Sequence, residues 1–274
     1  MTDKIAVLIT CFNRKEMTIN CIKSLAETNK DIDFRFVVTD DNSSDGTKEA
    51  LTKLPYKIKL IDGDGSLFWN GGMRKSIAYA LSNVDKFDYA LLVNDDVAFY
   101  PGTINQMVHR IKTSGADVVV GATCDEDGKM TYGGVLKTSK HLAKFKPMEP
   151  GNDDMQCDTF NCNAVLLKSE VFKEAGNFDS KYTHAMGDYD YGFRLRKLGY
   201  TVVSSTNFVG HCEANAIEGT WLDPKLPRKE RLKLKEGPKG LPKKDYYHFV
   251  RKNYGLLPAI YHSLTPYIRI LIKK

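Results

Sequence analysis

Several features that mark common classes of protein are missing from this sequence. No apolar run approaches the roughly 18 residues that a membrane-spanning helix needs, so no such helix is expected. The six cysteines include no CxxC pair and no zinc-ligand spacing, which argues against a structural zinc site. The first apolar run has only six or seven residues and follows an early Asp3, so it predicts a buried strand rather than a secretory leader. We therefore expect a cytoplasmic protein with reduced thiols.

The charge is distributed unevenly along the chain. The chain has 40 Lys and Arg residues against 34 Asp and Glu residues, a formal net charge of +6. Residues 222–274 contain 14 of the basic and 4 of the acidic residues, so their net charge is +10 and that of residues 1–221 is −4. Because the main part of the chain lacks the basic surface of a nucleic-acid enzyme, we expect no nucleic-acid partner. The basic end suggests contact with an anionic surface.

Apolar runs typical of β-strands alternate with helical patterns over the first 120 residues. Strands are predicted over residues 4–10, 34–40, 56–62, 87–93 and 116–122. Helices are predicted over residues 14–28, 44–54, 72–83 and 101–114. This βα alternation, with strands that are nearly all apolar, indicates an α/β fold whose parallel sheet is covered by helices on both faces.

The remaining residues are organised differently. Residues 123–221 alternate less regularly and predict a mixed sheet with a helix near 186–198. Residues 223–244 are rich in Gly, Pro and Lys and resemble a linker, and two amphipathic segments follow. We therefore expect one domain over residues 1–221 and a basic, helical extension over residues 222–274.

Polar residues follow three of the predicted strands, at Thr10, at residues 40–41 and at residues 94–96. Ligands of parallel sheets bind beyond the carboxyl ends of the strands, so these residues predict a site. Adjacent Asp95 and Asp96 suit a hard divalent cation, Mg²⁺ or Mn²⁺, which would hold a diphosphate. Taken alone, the pair also fits a solvated strand-to-turn cap.

Four stretches resemble, in order, the signatures of family 2 glycosyltransferases with the GT-A fold. They are VLITCFNRKEMTINCIKSL, VVTDDNSSDGT, LLVNDDV and AGNFDSKYTHAMGDYDYGFRLRKLGY, and the resemblance covers about residues 4–212. It implies a Rossmann-like mixed sheet with helices on both faces. In that fold residues 1–122 would bind the nucleotide and residues 123–221 the acceptor.

The resemblance also assigns residues to the donor and to the metal. Thr10 and Asp41 match positions that hold the base and ribose. Asp96 matches the direct ligand of a DxD-like metal motif, and His211 either completes the metal shell or is structural. The residues expected at the nucleotide or donor sugar are Thr10, Phe12, Asn13, Arg14, Asp41, Gly71, Gly72, Arg74, Asn94 and Asp95.

Within the donor set, the stretch IDGDGSLFWNGGMRKSI contributes three of the residues. Gly71 and Gly72 permit close approach of the backbone to a ligand. Arg74 is placed to reach a phosphate. Trp69, in the same stretch, fits either core packing or a platform on which a sugar stacks.

The stretch MGDYDYGFR provides the expected catalytic base. The family commonly opens this helix with Glu-Asp; here Gly187 replaces the Glu, and Asp188 matches the Asp that deprotonates the acceptor hydroxyl. A role as a cap matched to the helix dipole is the alternative for Asp188. Asp190 lies about 200° around the helix, so the two carboxylates cannot serve one position equally. We expect Asp190, Asn161 and Trp69 on the acceptor side.

The resemblance implies inverting, metal-dependent transfer of a sugar from a nucleoside diphosphate, with dTDP or UDP favoured, to a hydroxyl of a glycan or lipid-linked acceptor. The loop around Trp69 is similar to that of bacterial rhamnosyl- and related deoxyhexosyl- or galactosyltransferases of surface-polysaccharide assembly. Two alternatives stay open. One is a catalytically silent nucleotide-sugar-binding or scaffold protein. The other is a sugar-nucleotide nucleotidyltransferase, although ITCFNRKE lacks the Gly-rich phosphate loop expected of that class.

The last segment combines apolar residues at helical spacing with Lys, Arg and Tyr. The apolar positions are Leu257, Ile260, Tyr261, Leu264, Ile268 and Leu271. This pattern predicts an interfacial helix on an anionic membrane, kinked or divided at Pro266. Packing on the catalytic domain and a homodimer contact are the alternatives. If the membrane hypothesis holds, the protein is peripheral on the inner face of the plasma membrane.

Overall fold

A mixed β-sheet with helices on both faces forms the centre of the molecule, in a computed structural model that describes residues 2–151 and 156–272. The first elements are β1 (Lys4–Cys11), α1 (Lys15–Thr28), β2 (Asp33–Asp40), α2 (Thr47–Thr52), β3 (Ile58–Asp62), α3 (Phe68–Leu81), β4 (Tyr89–Val93), β5 (Ala98–Phe99), α4 (Thr103–Ser114) and β6 (Val118–Cys124). The later ones are β7 (Met130–Tyr132), β8 (Gly134–Lys137), β9 (Phe145–Pro147), β10 (Thr159–Phe160), β11 (Ala164–Lys168), α5 (Ser169–Ala175), α6 (Gly187–Lys197), β12 (Val202–His211), α7 (Arg228–Glu236), α8 (Lys243–Tyr254) and α9 (Leu256–Ile272).

The strand order in the large sheet is β3-β2-β1-β4-β11-β6-β12-β5, with β7 paired to β6. Strands β3, β2, β1 and β4 are mutually parallel, and β12 is parallel to β6. Strand β11 lies antiparallel between β4 and β6, so all five strands predicted in the first half run in one direction. The carboxyl ends of β1, β2 and β4 therefore meet at one edge, as an α/β fold predicts.

The alternation of side chains along the strands separates two apolar cores. On β1, Ile5, Val7 and Ile9 face the core beneath α1 and α4, whereas Ala6 and Leu8 face the core beneath α3, α5 and α6. Every residue of β4 is buried. A strand buried on both faces has a continuous apolar sequence, which is the pattern that identified these strands.

Helices α2 and α3 begin at other residues than the sequence predicts. Helix α2 begins at Thr47 rather than near Ser44, because Gly46 has a φ of 82° and Asp45 accepts a hydrogen bond from the Thr47 N–H. Helix α3 begins at Phe68, one turn earlier than predicted, since its N-terminal amides are bound by Asp41.

The basic extension is helical and packs against the catalytic domain. The predicted linker contains α7, and a third apolar cluster joins Phe193 of α6 to Phe249 and Ala259 of α8 and α9. Lys252 of α8 also pairs with Asp190 at 2.7 Å. The side of the extension that carries Phe249, Lys252 and Ala259 therefore packs on the domain. Among the helices in the described part of the chain, none has the length and hydropathy that crossing a bilayer requires.

Candidate active site

A cavity of about 530 Å³ opens at the edge of the sheet where β1, β2 and β4 end. Its lining residues are Thr10, Cys11, Phe12, Arg14, Asp41, Gly65, Phe68, Trp69, Asn94, Asp95, Asp96, Tyr132, Asn161, Asn163, His184, Ala185, Met186, Asp188, Tyr189, Asn215 and Lys239. The predicted site residues among them are Thr10, Phe12, Arg14, Asp41, Trp69, Asn94, Asp95, Asp96, Asn161 and Asp188. The cavity thus brings together residues from both halves of the domain.

Asp95 and Asp96 both form ion pairs with the side chain of Arg14. Nη1 of Arg14 lies 3.0 Å from Oδ1 of Asp95 and 3.0 Å from Oδ2 of Asp96. Burial raises the pKa of the Asp95 carboxyl to about 6, against the opposing effect of Arg14. Carboxylate oxygens that converge on one cation are the donors that Mg²⁺ and Mn²⁺ prefer, so this pair fits a divalent ion.

Asp41 lines the cavity, but its carboxylate is largely used by the backbone. Oδ1 accepts a hydrogen bond from Gly65 N–H at 2.8 Å, and Oδ2 accepts from Leu67 and Phe68 N–H at 3.0 and 3.2 Å. Asp41 therefore holds the loop that enters α3. A carboxylate has about four acceptor sites, so a contact with a nucleobase remains compatible with this arrangement.

Trp69 contacts residues from both halves of the domain, 1–122 and 123–221. Its Nε1 donates to Oδ1 of Asn94 at 2.8 Å, its ring packs on Phe178 at a centroid distance of 5.6 Å, and its backbone N–H donates to Nδ1 of His184. Burial lowers the pKa of His184, with smaller effects from Lys239 and Arg14, which favours the neutral form of this imidazole. Trp69 is thus both anchored in the core and part of the lining.

Asp188 occupies the first turn of α6 and faces the same cavity. Burial raises the pKa of its carboxyl to about 6, and hydrogen bonds from the backbone N–H groups of Tyr189 and Cys162 offset part of that effect. The Tyr189 N–H lies 2.8 Å from Oδ1 of Asp188. A carboxylate with a pKa close to neutrality is suited to accept a proton from a hydroxyl group.

The glycine pair and Arg74 are not among the lining residues. A Cβ atom on Gly72 would overlap Oγ1 of Thr10, and one on Gly71 would lie 3.1 Å from Cβ of Leu67. Gly72 therefore allows α3 to approach β1, not a ligand to approach the backbone. Arg74 lies two residues further along α3, and its backbone carbonyl accepts a hydrogen bond from Nδ2 of Asn177.

Asn13 and Asp190 also lie outside the lining and have other partners. Asn13 has a φ of 52° and exchanges hydrogen bonds with Ser43 and Ser44, so it braces the loop after β2. Asp190 is fully buried and binds Lys252 and Asn253 of α8. The acceptor role predicted for Asp190 is replaced by a structural one, because its carboxylate joins α6 to the extension.

The structure places Cys212, not His211, against the acidic pair. The Cys212 thiol lies 3.5 Å from Oδ1 of Asp96. His211 is absent from the lining; its Nε2 lies 2.9 Å from Glu213, and ligand atoms of His211, Glu213 and Glu126 lie within 4.8 Å of one another. Adjacent residues at a strand end point in opposite directions, which separates His211 from Asp96.

Several lining residues were not predicted from the sequence. Lys239 comes from the extension between α7 and α8, a region with the composition of a linker. Tyr132 and Asn215 come from the irregular second half, where the Tyr132 hydroxyl accepts a hydrogen bond from Asn215 N–H at 2.8 Å. His184 was present in a quoted signature and could have been recognised as a polar residue beside the expected base.

Residues 6–176, more than half of the sequence, match the family model described as Glycosyl transferase family 2. The chain belongs to this family. The resemblance seen in the sequence is therefore confirmed.

Two curated relatives of this family 2 chain come from bacteria. The N-acetylglucosaminyl-diphospho-decaprenol L-rhamnosyltransferase of Mycobacterium tuberculosis is 22% identical over 191 residues, 61% of this chain and 62% of that protein. The succinoglycan biosynthesis protein ExoA of Rhizobium meliloti is 23% identical over 228 residues, 78% of this chain and 65% of that protein. The chain thus spans less than two thirds of the length of either relative.

Solved structures show the same fold. The mannosyltransferase PcManGT of Pyrobaculum calidifontis, in complex with GDP-Man and Mn²⁺, has a TM-score of 0.59 and 14% identity, over 97% of this chain and 73% of that one. S. aureus TarS 1–349, in complex with UDP-GlcNAc, has a TM-score of 0.60 and 15% identity, over 98% of this chain and 72% of that one. These similarities confirm the predicted GT-A fold.

Proposed function

We propose that this family 2 chain is an inverting, metal-dependent glycosyltransferase. It moves a sugar from a nucleoside diphosphate to a hydroxyl of a glycan or lipid-linked acceptor in bacterial polysaccharide assembly. The observation that carries the proposal is that Asp188 and the Asp95–Asp96 pair line one cavity. A base on one side and a site for the leaving diphosphate on the other are what inversion requires.

In this proposal Asp188 accepts the proton of the acceptor hydroxyl. The oxygen forms a bond to the anomeric carbon as the bond from that carbon to the diphosphate oxygen breaks, and the electron pair leaves with the diphosphate. Positioned general bases contribute roughly 10²–10⁴-fold to the rate of such steps. Asp95 and Asp96 would hold Mg²⁺ or Mn²⁺, which when bound supplies positive charge to the leaving group.

The neighbouring residues suit the remaining parts of a nucleotide sugar. Phe12 is 46% exposed at the cavity and offers a surface on which a base stacks. Lys239 and Arg14 supply positive charge for a diphosphate. The two solved structures contain GDP-Man and UDP-GlcNAc, and one curated relative is a rhamnosyltransferase. The similar proteins therefore differ in their nucleotide or sugar, and the nucleobase of this chain's donor needs a direct test. We keep dTDP and UDP as the favoured donor nucleotides.

Calorimetric titration of UDP, dTDP and GDP, with and without Mn²⁺, tests the site. We expect one nucleotide to bind in a Mn²⁺-dependent way to the wild-type chain and this binding to be lost in Asp96→Ala. Asp188→Asn is the matched control, since it should bind the same nucleotide but transfer no sugar. If the wild type binds no nucleotide, the catalytically silent scaffold becomes the better hypothesis. Formation of a nucleotide sugar from a nucleoside triphosphate would favour the nucleotidyltransferase alternative.

We further propose that α9 holds the protein on an anionic membrane. One side of α9 is buried against the extension, but the other exposes a continuous apolar stripe. The stripe consists of Leu256, Leu257, Ile260, Tyr261, Leu264, Ile268, Leu271 and Ile272. Leu257 is 78% exposed, and the surrounding extension carries a net charge of +10. An apolar stripe on a basic segment suits the surface of a bilayer containing acidic lipids.

A further inference from the structure

Arg14 occupies the position at which the two carboxylates of the acidic pair converge. It lies between β1 and α1, and its Nη1 contacts Oδ1 of Asp95 and Oδ2 of Asp96 at 3.0 Å each. The other oxygens have their own donors. Oδ2 of Asp95 accepts from the Thr18 hydroxyl at 3.3 Å, and Oδ1 of Asp96 faces the Cys212 thiol. The pair therefore presents to a cation the same two oxygens that Arg14 holds.

A divalent ion and the Arg14 guanidinium cannot share those oxygens at contact distance. Two cations held a few ångströms apart repel each other strongly in a site from which water is partly excluded. Asp95 is 7% exposed and Asp96 is 22% exposed, so the pair is largely shielded from water, whereas the Arg14 side chain is 43% exposed and lines the cavity. Arg14 thus has space into which it can turn when another cation arrives.

We propose that Arg14 is an internal stand-in for the divalent cation, and that its displacement couples cation binding to donor binding. The inference rests on the proposed function. In the free protein Arg14 neutralises Asp95 and Asp96 and competes with the ion. A nucleoside diphosphate gives the displaced guanidinium a new anionic partner, because a planar guanidinium binds phosphate oxygens in a bidentate manner. Nucleotide and ion therefore tighten each other's binding, and the coupling is reciprocal.

Titration of Mn²⁺, with free Mn²⁺ followed by electron paramagnetic resonance, tests this coupling without any measurement of activity. The proteins are the wild type, Arg14→Gln, Arg14→Lys and Arg35→Gln. Arg35→Gln is the control for the loss of one positive charge. Arg35 pairs with Asp33 on β2, and neither residue lines the cavity. Arg14→Lys keeps a cation in the site and controls for damage to the fold.

Without nucleotide, Arg14→Gln should bind Mn²⁺ at least about tenfold more tightly than the wild type, since hydrogen bonds between charged groups that compete with the ion are removed. Arg14→Lys and Arg35→Gln should resemble the wild type. Added UDP, dTDP or GDP, whichever binds, should tighten Mn²⁺ binding by the wild type more than by Arg14→Gln. The difference should equal the affinity gained by the variant in the absence of nucleotide.

Two results would overturn the inference, and they are distinguishable. Equal or weaker Mn²⁺ binding by Arg14→Gln would show that Arg14 does not compete with the ion, while leaving the proposed glycosyltransferase intact. Failure of every protein to bind Mn²⁺, with or without each nucleotide, would remove metal dependence from the proposed function as well.

Discussion

A Cβ atom on Gly187 would overlap Oδ1 of Asn70, which joins the start of α6 to α3. Asn70 is fully buried, and its Nδ2 donates to the carbonyl oxygens of Asp179 and Tyr182 at 3.1 and 2.8 Å. A side chain at residue 187 would require Asn70 to move. The neighbouring Asp188 is therefore positioned by a contact that tolerates no side chain at residue 187.

Gly187→Ala should lower the free energy of unfolding by about 1–3 kcal/mol, because overpacking forces the buried Asn70 to move. Sugar transfer should fall by at least about tenfold, since Asp188 would move with the helix start. Urea unfolding and transfer assays measure the two effects. Gly128→Asn is the control, because Gly128 has a φ of 75°, which Asn tolerates better than most residues, and a Cβ atom there lies within 4 Å of no atom of the described residues. Equal stability of both variants would contradict the packing explanation.

The rate of transfer should depend on the ionisation of Asp188. Its pKa is raised to about 6, so the fraction ionised, and with it the rate, should fall as the pH is lowered through that value. A profile of kcat/KM between about pH 5 and 8 measures this. The carboxyl of Asp95 has a similarly raised pKa. Measuring the binding of UDP and Mn²⁺ over the same pH range therefore distinguishes the effect of ionising Asp188 from the effect of ionising Asp95. A flat rate profile would rule out Asp188 as the base.

Asp188→Asn should remove sugar transfer but raise stability near neutral pH. The folded-state pKa lies above that of an unfolded Asp, so the folded chain binds the proton more tightly, and stability is lost as the pH rises from about 4 to about 6. The uncharged Asn avoids this loss, with a gain of at most about 3 kcal/mol at pH 7. Thermal unfolding at about pH 5 and pH 8 checks it, because the gain should be larger at the higher pH. A lower melting temperature at both would contradict the burial effect.

Lys239→Gln should weaken nucleotide binding although the residue belongs to the extension. Lys239 lines the cavity, and loss of a charged partner for a diphosphate should weaken binding by about tenfold. Calorimetry with the selected nucleotide and Mn²⁺ measures this. Lys244→Gln, which removes an exposed charge outside the lining, provides the control. An equal effect in both variants would indicate a general loss of charge and not a contact in the site.

Leu257→Ser combined with Leu264→Ser should reduce binding to anionic vesicles. Both side chains are exposed on α9, and burying a leucine in an apolar phase is worth about 1.5–3 kcal/mol, so the pair should change binding by at least about tenfold. Flotation with vesicles of phosphatidylglycerol and phosphatidylcholine measures it, with pure phosphatidylcholine vesicles as the control. Light scattering tests the alternative: a dimer of the wild type that the variant loses would assign the stripe to a homodimer contact.

Local patterns in the sequence were sufficient for the sheet and for much of the candidate site. Strands buried on both faces are nearly all apolar, so β1, β2 and β4 were recognisable, and the polar residues that follow them had to meet at one edge. Asp41, Asp95 and Asp96 were found in this way. Asp188 was found through the family resemblance, since its position at a helix start alone also fits a cap.

Only the tertiary structure decided which partner each side chain meets. Arg14 contacts Asp95, which lies 81 residues further along the sequence, and Gly72 lets α3 lie close to β1. Both contacts depend on how the helices pack on the sheet. Two register shifts in β12 precede His211 and Cys212, so counting alternate residues along the sequence could not predict which of the two faces Asp96. Lys239 enters the cavity because the extension folds back onto the domain. Sequence periodicity specifies the faces of elements, whereas long-range packing specifies the contacts between them.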